Sequence, residues 1–154
     1  MEVENQRIEL IDKMYFSQDD FIKLSNCTIK CIDLIGCFEL ATEIVIENCI
    51  IEQFNIHSCW FVKGLTIRYS IVKGYINYQM GGHNDVPLIF DHNIFTDFFN
   101  FFDCEFNALV VFKNNIVTKG TNLLGNMSEG FENRFNAGWE VENNLGDLNL
   151  NREV

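Results

Sequence analysis

The chain has 154 residues, and its 47% content of hydrophobic residues suits one globular domain with a sizeable core, which excludes a largely disordered chain. Its 22 acidic and 11 basic side chains give a net charge of -11, which disfavours nucleic-acid phosphate and anionic membrane surfaces. No apolar stretch is long enough for a membrane-spanning helix, so we expect neither a nucleic acid nor a membrane as a partner.

The N-terminal segment, Met1 through Gln6, is polar and acidic. A secretory signal instead begins with basic residues and continues into an apolar stretch. We therefore expect a cytoplasmic protein whose six cysteines are reduced thiols.

A short pattern recurs along the whole chain, and its copies begin near Leu24. The fourth residues of the copies are Cys27, Cys49, Ser70, Asn93, Asn115 and Asn144, at steps of 22, 21, 23, 22 and 29. A second series, Asp33, Asn55, Asn77, Asn100 and Asn122, has steps of 22, 22, 23 and 22. Two independent series at one spacing indicate a repeat protein.

Within each repeat the elements follow in one order. A strand ends in an Asn-rich bend, a short strand follows, and then comes an alternating strand such as Phe54-Asn55-Ile56. Asparagine suits the bend because it tolerates left-handed backbone angles and bonds to nearby amides. Residues at one period stack about 4.8 Å apart, so an asparagine ladder from coil to coil is predicted, with the second series facing outward.

The apolar-x-apolar-x-Asn-Asn/Cys-apolar-apolar unit resembles the turn unit of the right-handed parallel β-helix proteins of the pectate lyase-like superfamily, over roughly residues 8–150. The resemblance implies an all-β fold, a right-handed parallel β-helix with six to seven coils in a single domain over residues 1–154. Left-handed hexapeptide helices, at about 18 residues per coil, and pentapeptide-repeat helices, at about 20, fit the period less well. The matching residues are scaffold positions, so activity is left open.

Two long loops, at residues 80–87 and 127–138, interrupt the period at the same point of their coils. Both are therefore expected on one side of the solenoid, where repeat proteins often bind ligands. The candidate ligand-binding residues lie in or near these loops and are His83, Asp85, Asp103, Glu105, Glu129, Glu132, Arg134 and Trp139.

Sugar-cleaving relatives within the resembled superfamily use clustered acids, either as general acid and base or to hold calcium. The alternating strand here carries asparagines, which do not titrate, so no catalytic residue is predicted. The aromatic residues on the loop side, which stack on sugar faces in carbohydrate-binding proteins, are Trp60, Phe131, Phe135 and Trp139. They keep a carbohydrate-binding or polysaccharide-degrading protein as the alternative.

Cysteines and histidines give no metal or cofactor prediction. Cys37, Cys59 and Cys104 occupy equivalent positions, and we interpret them as small inward packing residues. His57, His83 and His92 fall in different parts of the coil, so they are not expected to share a metal ion.

The outward positions two residues beyond the second series are Ile35, His57, Gln79, Phe102 and Leu124. Three of the five are apolar on a face that water should reach, which indicates an interface. The sequence therefore predicts a non-catalytic β-helix module that serves as a protein-interaction or self-association scaffold. A nucleic-acid mimic with an acidic stripe is a third alternative, which the 22-residue period disfavours because pentapeptide helices repeat at about 20 residues.

Overall fold

The computed structural model describes residues 1–16 and 19–151, and every regular element in them is a β-strand. The chain is a parallel β-solenoid of about five turns with about 22 residues per turn. The predicted all-β parallel solenoid and its period are thus confirmed.

The strands recur in groups of three along the chain. The first five groups are β1 (Glu2–Glu4), β2 (Arg7–Ile8) and β3 (Ile11–Asp12); β4 (Phe21–Ser25), β5 (Thr28–Ile29) and β6 (Ile32–Asp33); β7 (Glu43–Glu47), β8 (Ile50–Ile51) and β9 (Phe54–Asn55); β10 (Leu65–Arg68), β11 (Ile71–Val72) and β12 (Ile76–Asn77); and β13 (Leu88–Asp91), β14 (Ile94–Phe95) and β15 (Phe99–Asn100). The remaining strands are β16 (Glu105–Phe106), β17 (Val110–Lys113), β18 (Ile116–Val117), β19 (Arg134–Phe135) and β20 (Trp139–Glu142).

Equivalent strands of successive coils pair in parallel and build three long sheets. The first sheet has the order β1-β4-β7-β10-β13-β17-β20, the second β18-β14-β11-β8-β5-β2, and the third β15-β12-β9-β6-β3. A fourth, small sheet pairs β16 with β19 on the loop side.

The prediction of six to seven coils is too high. Beyond β15 the third sheet continues only as an isolated bridge between Phe99 and Thr121, and the second sheet ends in a bridge between Ile116 and Leu145. Among the described residues, the sixth winding has only β17 and β18 of the three strands, and the seventh has only β20. The number of full turns therefore falls to about five.

Inward residues of all three sheets form one continuous apolar core. Where the fifth coil meets the sixth, this core is aromatic, and the ring centroids of Phe99 and Phe101 lie 4.0 Å apart. Phe90 and Phe112, on neighbouring strands of the first sheet, have centroids 5.8 Å apart. Rings of this kind bury large apolar areas and add favourable edge-to-face contacts.

The bend after each strand of the first sheet has a left-handed backbone. The residues in that conformation are Asn5, Asn26, Asn48, Tyr69, His92, Asn114 and Asn143, with φ between 52° and 56°. Asparagine accounts for five of the seven because its short polar side chain tolerates this region. Tyr69 and His92 are the exceptions, and their rings stack on each other with centroids 5.1 Å apart.

From Asn26 onward, the residue after each left-handed bend points inward and links the coils; we call these residues the bend row. Its members are Cys27, Cys49, Ser70, Asn93, Asn115 and Asn144. Each backbone N–H from Cys27 to Asn115 donates to the side chain of the next member, at distances from 2.9 to 3.4 Å. Asn93, Asn115 and Asn144 also donate from Nδ2 to main-chain carbonyls of the preceding coil, those of Ile67, Phe90 and Phe112. The row therefore satisfies the buried N–H groups at the bend, which lie outside the strands, and adds a further link between neighbouring coils.

The second asparagine series lies in the third sheet, with Asn55 paired to Asn77 and Asn77 to Asn100. Asn122 Nδ2 donates to Asn100 Oδ1 at 2.7 Å. The expectation that the whole series faces water is wrong at Asn100 and Asn122, which are buried. The insertion covers this end, since Asn133 Nδ2 donates to the carbonyl oxygen of Asn122.

Cys59 and Cys104 are packing residues of the core, as interpreted from the repeat, and the equivalent Cys37 is half-buried against it. All six cysteines lie within the described residues and are free thiols, and Cys27, Cys49, Cys59 and Cys104 are buried. Burial raises the pKa of the Cys49 thiol to about 11 and raises those of Cys59 and Cys104 further. Thiols held protonated at neutral pH are poor nucleophiles and metal ligands.

Replacement of Asn115 by Ala is expected to lower the free energy of unfolding by about 3 kcal/mol, because the buried N–H of Asn93 loses its acceptor and the carbonyl of Phe90 loses one hydrogen bond. Chemical denaturation measures the change. Asn107→Ala is the matched control, since Asn107 is exposed and its side chain accepts a hydrogen bond from the exposed Asn136. Equal losses in the two variants would contradict the structural role of the bend row.

Stability is expected to fall as pH rises above about 8.5, because thiols of the unfolded chain ionise there while the buried thiols stay protonated. Since the folded state then binds more protons than the unfolded state, the free energy of unfolding decreases with pH. Thermal unfolding at several pH values measures how the free energy of unfolding depends on pH. The series starts at neutral pH and stops before tyrosine and lysine side chains begin to lose their protons. Combining Cys59→Ala with Cys104→Ala should flatten this pH dependence, and the half-exposed Cys31→Ala should change it much less. An unchanged slope in the double variant would rule out the explanation.

Candidate functional site

A cleft of about 200 Å³ opens on the loop side of the solenoid; we call it the loop-side cleft. Its lining residues come from five successive coils and are Phe38, Ser58, Trp60, Met80, His83, Asp103, Cys104, Glu105 and Arg134. Bridges from Trp60 to Gly82 and from Gly82 to Glu105, followed by the pairing of Glu105 with Arg134, place these residues in parallel register. Residues far apart in sequence are thereby brought to one place.

A second left-handed bend leads into the cleft in each coil. Gly36, Ser58, Met80 and Asp103 adopt φ of 66°, 53°, 55° and 53° there. Each donates its backbone N–H to a carbonyl of the next coil, for example Ser58 to Gln79 at 2.9 Å. The bend directs the chain out of the third sheet and fixes the start of every cleft-lining segment.

Gly82 allows the closest approach of the chain in this region. Its φ is 98°, and a Cβ atom there would overlap the carbonyl oxygen of Glu105. The preceding Gly81 has the same kind of restriction, since its Cβ would meet the ring of Tyr78. Tyr78 fills the space that a cysteine side chain occupies in other coils, and its hydroxyl accepts the N–H of Gly82 at 3.1 Å.

Three rings in contact form one wall of the loop-side cleft. The centroids of Phe38 and Trp60 are 4.9 Å apart in an edge arrangement, and those of Trp60 and His83 are 4.1 Å apart at 40°. The backbone N–H of His83 donates to the carbonyl of Glu105 at 2.6 Å, and Trp60 Nε1 lies 3.4 Å from the carbonyl oxygen of Met80. Backbone bonds therefore hold the rings in place, with Phe38 largely exposed.

Charged groups form the other side of the cleft. Arg134 Nη1 lies 3.5 Å from Glu105 Oε2, and Asp103 is half-buried beside them. The cleft thus offers an apolar ring surface next to hydrogen-bond donors and acceptors, an arrangement that recognises an amphipathic group.

Among residues 1–16 and 19–151, no three His, Cys, Asp or Glu side chains are placed to hold a metal ion.

The structure brings together four of the eight predicted ligand-binding residues, His83, Asp103, Glu105 and Arg134. Glu132 and Trp139 instead line a separate cavity of about 630 Å³ at the C-terminal end, together with Leu124. Asp85 is exposed outside both, with its N–H bonded to the carbonyl of Val62. Glu129 is exposed on the insertion.

The predicted interface row borders the loop-side cleft. Backbone bonds from Gly36 to His57, from Ser58 to Gln79 and from Met80 to Phe102 stack the row coil upon coil. Ile35 is 59% exposed, whereas His57, Gln79, Phe102 and Leu124 are half-buried. The ring of Phe102 is stacked on Phe131 at 4.9 Å, and Leu124 packs against the core.

Sequence reasoning did not single out Phe38 and Met80 as cleft residues. A signal was present for Phe38, because the residues after the equivalent Cys37, Cys59 and Cys104 are Phe38, Trp60 and Glu105. Equivalent positions of successive coils lie side by side, so these three had to share one surface.

Comparison with known proteins found no matching family model, no matching curated protein and no matching solved structure. No helix in the described part of the chain could span a membrane.

Gly82→Ala is expected to lower the free energy of unfolding by more than about 3 kcal/mol, because the added methyl group must displace a backbone carbonyl. Gly130→Ala is the matched control: its φ is 80°, but no atom lies within 4 Å of the added Cβ. Its cost is only the strain of the left-handed backbone, about 1 kcal/mol. Chemical denaturation of both variants checks the difference, and equal costs would mean that the close approach at Gly82 does not constrain the cleft.

Proposed function

We propose that the chain is a non-catalytic β-solenoid module that binds a protein partner through its loop-side face. This face consists of the loop-side cleft and the bordering row Ile35, His57, Gln79, Phe102 and Leu124. The observation that carries the proposal is the contact of the Phe38, Trp60 and His83 rings beside Arg134, held on a rigid backbone.

The composition of this face supports a protein partner. Aromatic residues, methionine and arginine are enriched at the centres of protein interfaces, and tryptophan and arginine dominate their energetic hot spots. Trp60, Met80 and Arg134 line one cleft that has room for a single bulky apolar side chain. Because strand pairing orders these residues before any partner binds, little conformational entropy is lost on binding.

A carbohydrate is the second candidate ligand for the same face. The supporting observation is that Trp60 stacks against His83 directly beside Glu105 and Arg134, so a ring surface adjoins hydrogen-bonding groups. The resemblance of the repeat to the pectate lyase-like superfamily also favours this candidate.

We further propose that the protein is cytoplasmic, which its free thiols support. We also propose that it binds neither nucleic acid nor membranes, which its net charge of -11 supports.

Selection of displayed random peptides on the purified protein tests the proposal. We expect enriched peptides that share one bulky apolar residue, and we expect Trp60→Ala to weaken their binding at least about tenfold, as for a hot-spot residue. Fluorescence polarisation measures the affinities.

Tyr69→Ala is the matched control, because Tyr69 is also an exposed aromatic residue stacked on a histidine, at a different bend. Peptides that bind both variants as tightly as the original chain would refute the assignment of the face.

A thermal-shift screen with acidic and neutral oligosaccharides, with and without calcium, tests the carbohydrate candidate in parallel. A rise in the unfolding midpoint that Trp60→Ala abolishes would identify carbohydrate as the ligand instead.

A further inference from the structure

A row of aliphatic side chains runs along the outer surface of the second sheet; we call it the aliphatic row. Its residues are Ile50, Ile71, Ile94, Ile116 and Leu145. They are neighbours in register, since Ile71 pairs with both Ile50 and Ile94, Ile94 pairs with Ile116, and Ile116 bridges to Leu145. The row therefore crosses five consecutive windings in a straight line.

These side chains point to solvent although they are apolar. Ile50, Ile94, Ile116 and Leu145 are 36%, 38%, 40% and 66% exposed, and Ile71 between them is half-buried. The next residue in each strand, such as Phe95 or Val117, is buried in the core. A contiguous exposed apolar stripe on a soluble domain marks an interaction surface, whereas single exposed apolar residues do not.

The surroundings of the aliphatic row are nearly neutral. On one flank, backbone bonds stack Lys73, Thr96 and Thr118 on successive windings, with Glu52 at the preceding winding. Glu52 and Lys73 have opposite charges, and the other flank presents asparagines with Tyr69 and His92. The patch is thus locally balanced in a chain whose net charge is -11.

We propose that the partner of the aliphatic row is a second copy of this chain, packed face to face through the second sheets of the two copies. A straight row with a repeat of about 4.8 Å interdigitates best with a row of the same repeat, and a second copy has that repeat. A partner attracted by charge would bind elsewhere on this acidic surface, because the patch itself presents no net charge. Copies that repel one another overall can approach most easily at a neutral apolar face.

The size of the patch sets the strength of the dimer. Five windings at about 4.8 Å and three rows at about 7 Å give a footprint of about 500 Å² per copy. Standard interfaces bury about 800 Å² per partner, so a weak and reversible dimer is expected. The loop-side cleft follows the third sheet in each coil and stays outside this contact. The dimer would therefore present two copies of the loop-side face and bind a bivalent partner with increased avidity.

Sedimentation velocity over low to several hundred micromolar protein tests the proposal. The expected result is a concentration-dependent shift from monomer to dimer that added sodium chloride strengthens, because salt screens the repulsion between acidic copies. Ile94→Glu should leave the protein monomeric at every concentration. Ile35→Glu is the matched control, since Ile35 is an isoleucine on the loop-side face that is even more exposed than Ile94, and it should leave the dimer intact.

A chain that is monomeric throughout, or a dimer that persists in Ile94→Glu, overturns the proposal. A dimer that Ile35→Glu dissociates also overturns it and assigns self-association to the loop-side face. If circular dichroism shows that the Ile94→Glu variant is misfolded, Ile94→Thr replaces it. Threonine keeps the β-branched shape, so we expect Ile94→Thr to fold and to weaken the dimer several-fold. Peptide binding by the loop-side face is measured separately on Ile94→Glu, so failure of the dimer and failure of the proposed function are distinguishable.

Discussion

The stacking of equivalent residues on successive coils is the constraint on which the whole structure depends, and the bend row enforces it. Strand pairing alone leaves buried main-chain groups at the bend, where the backbone turns left-handed and cannot continue the ladder. The side chains from Cys49 to Asn144 accept these N–H groups coil after coil. A coil that slipped by one residue would bury an unbonded amide and reverse the inward and outward faces of its strands.

The bend row changes character along the chain. Cys49 and Ser70 each accept one N–H and donate to a main-chain carbonyl through the same side-chain atom. Asn93, Asn115 and Asn144 divide these roles, since Oδ1 accepts the N–H and Nδ2 donates to a carbonyl. The asparagines coincide with the phenylalanine-rich part of the core, where large rings separate the sheets. Polar and aromatic contributions therefore reinforce the same coils, and these coils support the loop-side cleft.

Much of the fold could be predicted from the sequence because a solenoid repeats its local interactions at a fixed spacing. The period, the parallel strands and the inward cysteines followed from the equivalence of positions such as Cys27 and Cys49. The number of turns did not, because the copies at Asn115 and Asn144 preserve the bend while the third strand after them is lost. The sequence indicated that His83 and Arg134 lie on the same side of the solenoid. It did not indicate that they share one cleft, since loops of unequal length shift the register between coils.

The aliphatic row shows why the candidate surfaces were harder to predict than the scaffold. Strands of the second sheet are two residues long, so they contain no alternation from which an outward side could be recognised. Pairs such as Ile50-Ile51 look fully buried as sequence, yet a pleated strand must place one of the two side chains outside. An outward polar residue would satisfy the fold equally well at each of these positions. The fold therefore does not require aliphatic residues at these five successive windings. Because folding does not explain these exposed aliphatic side chains, we assign the row to an interaction surface.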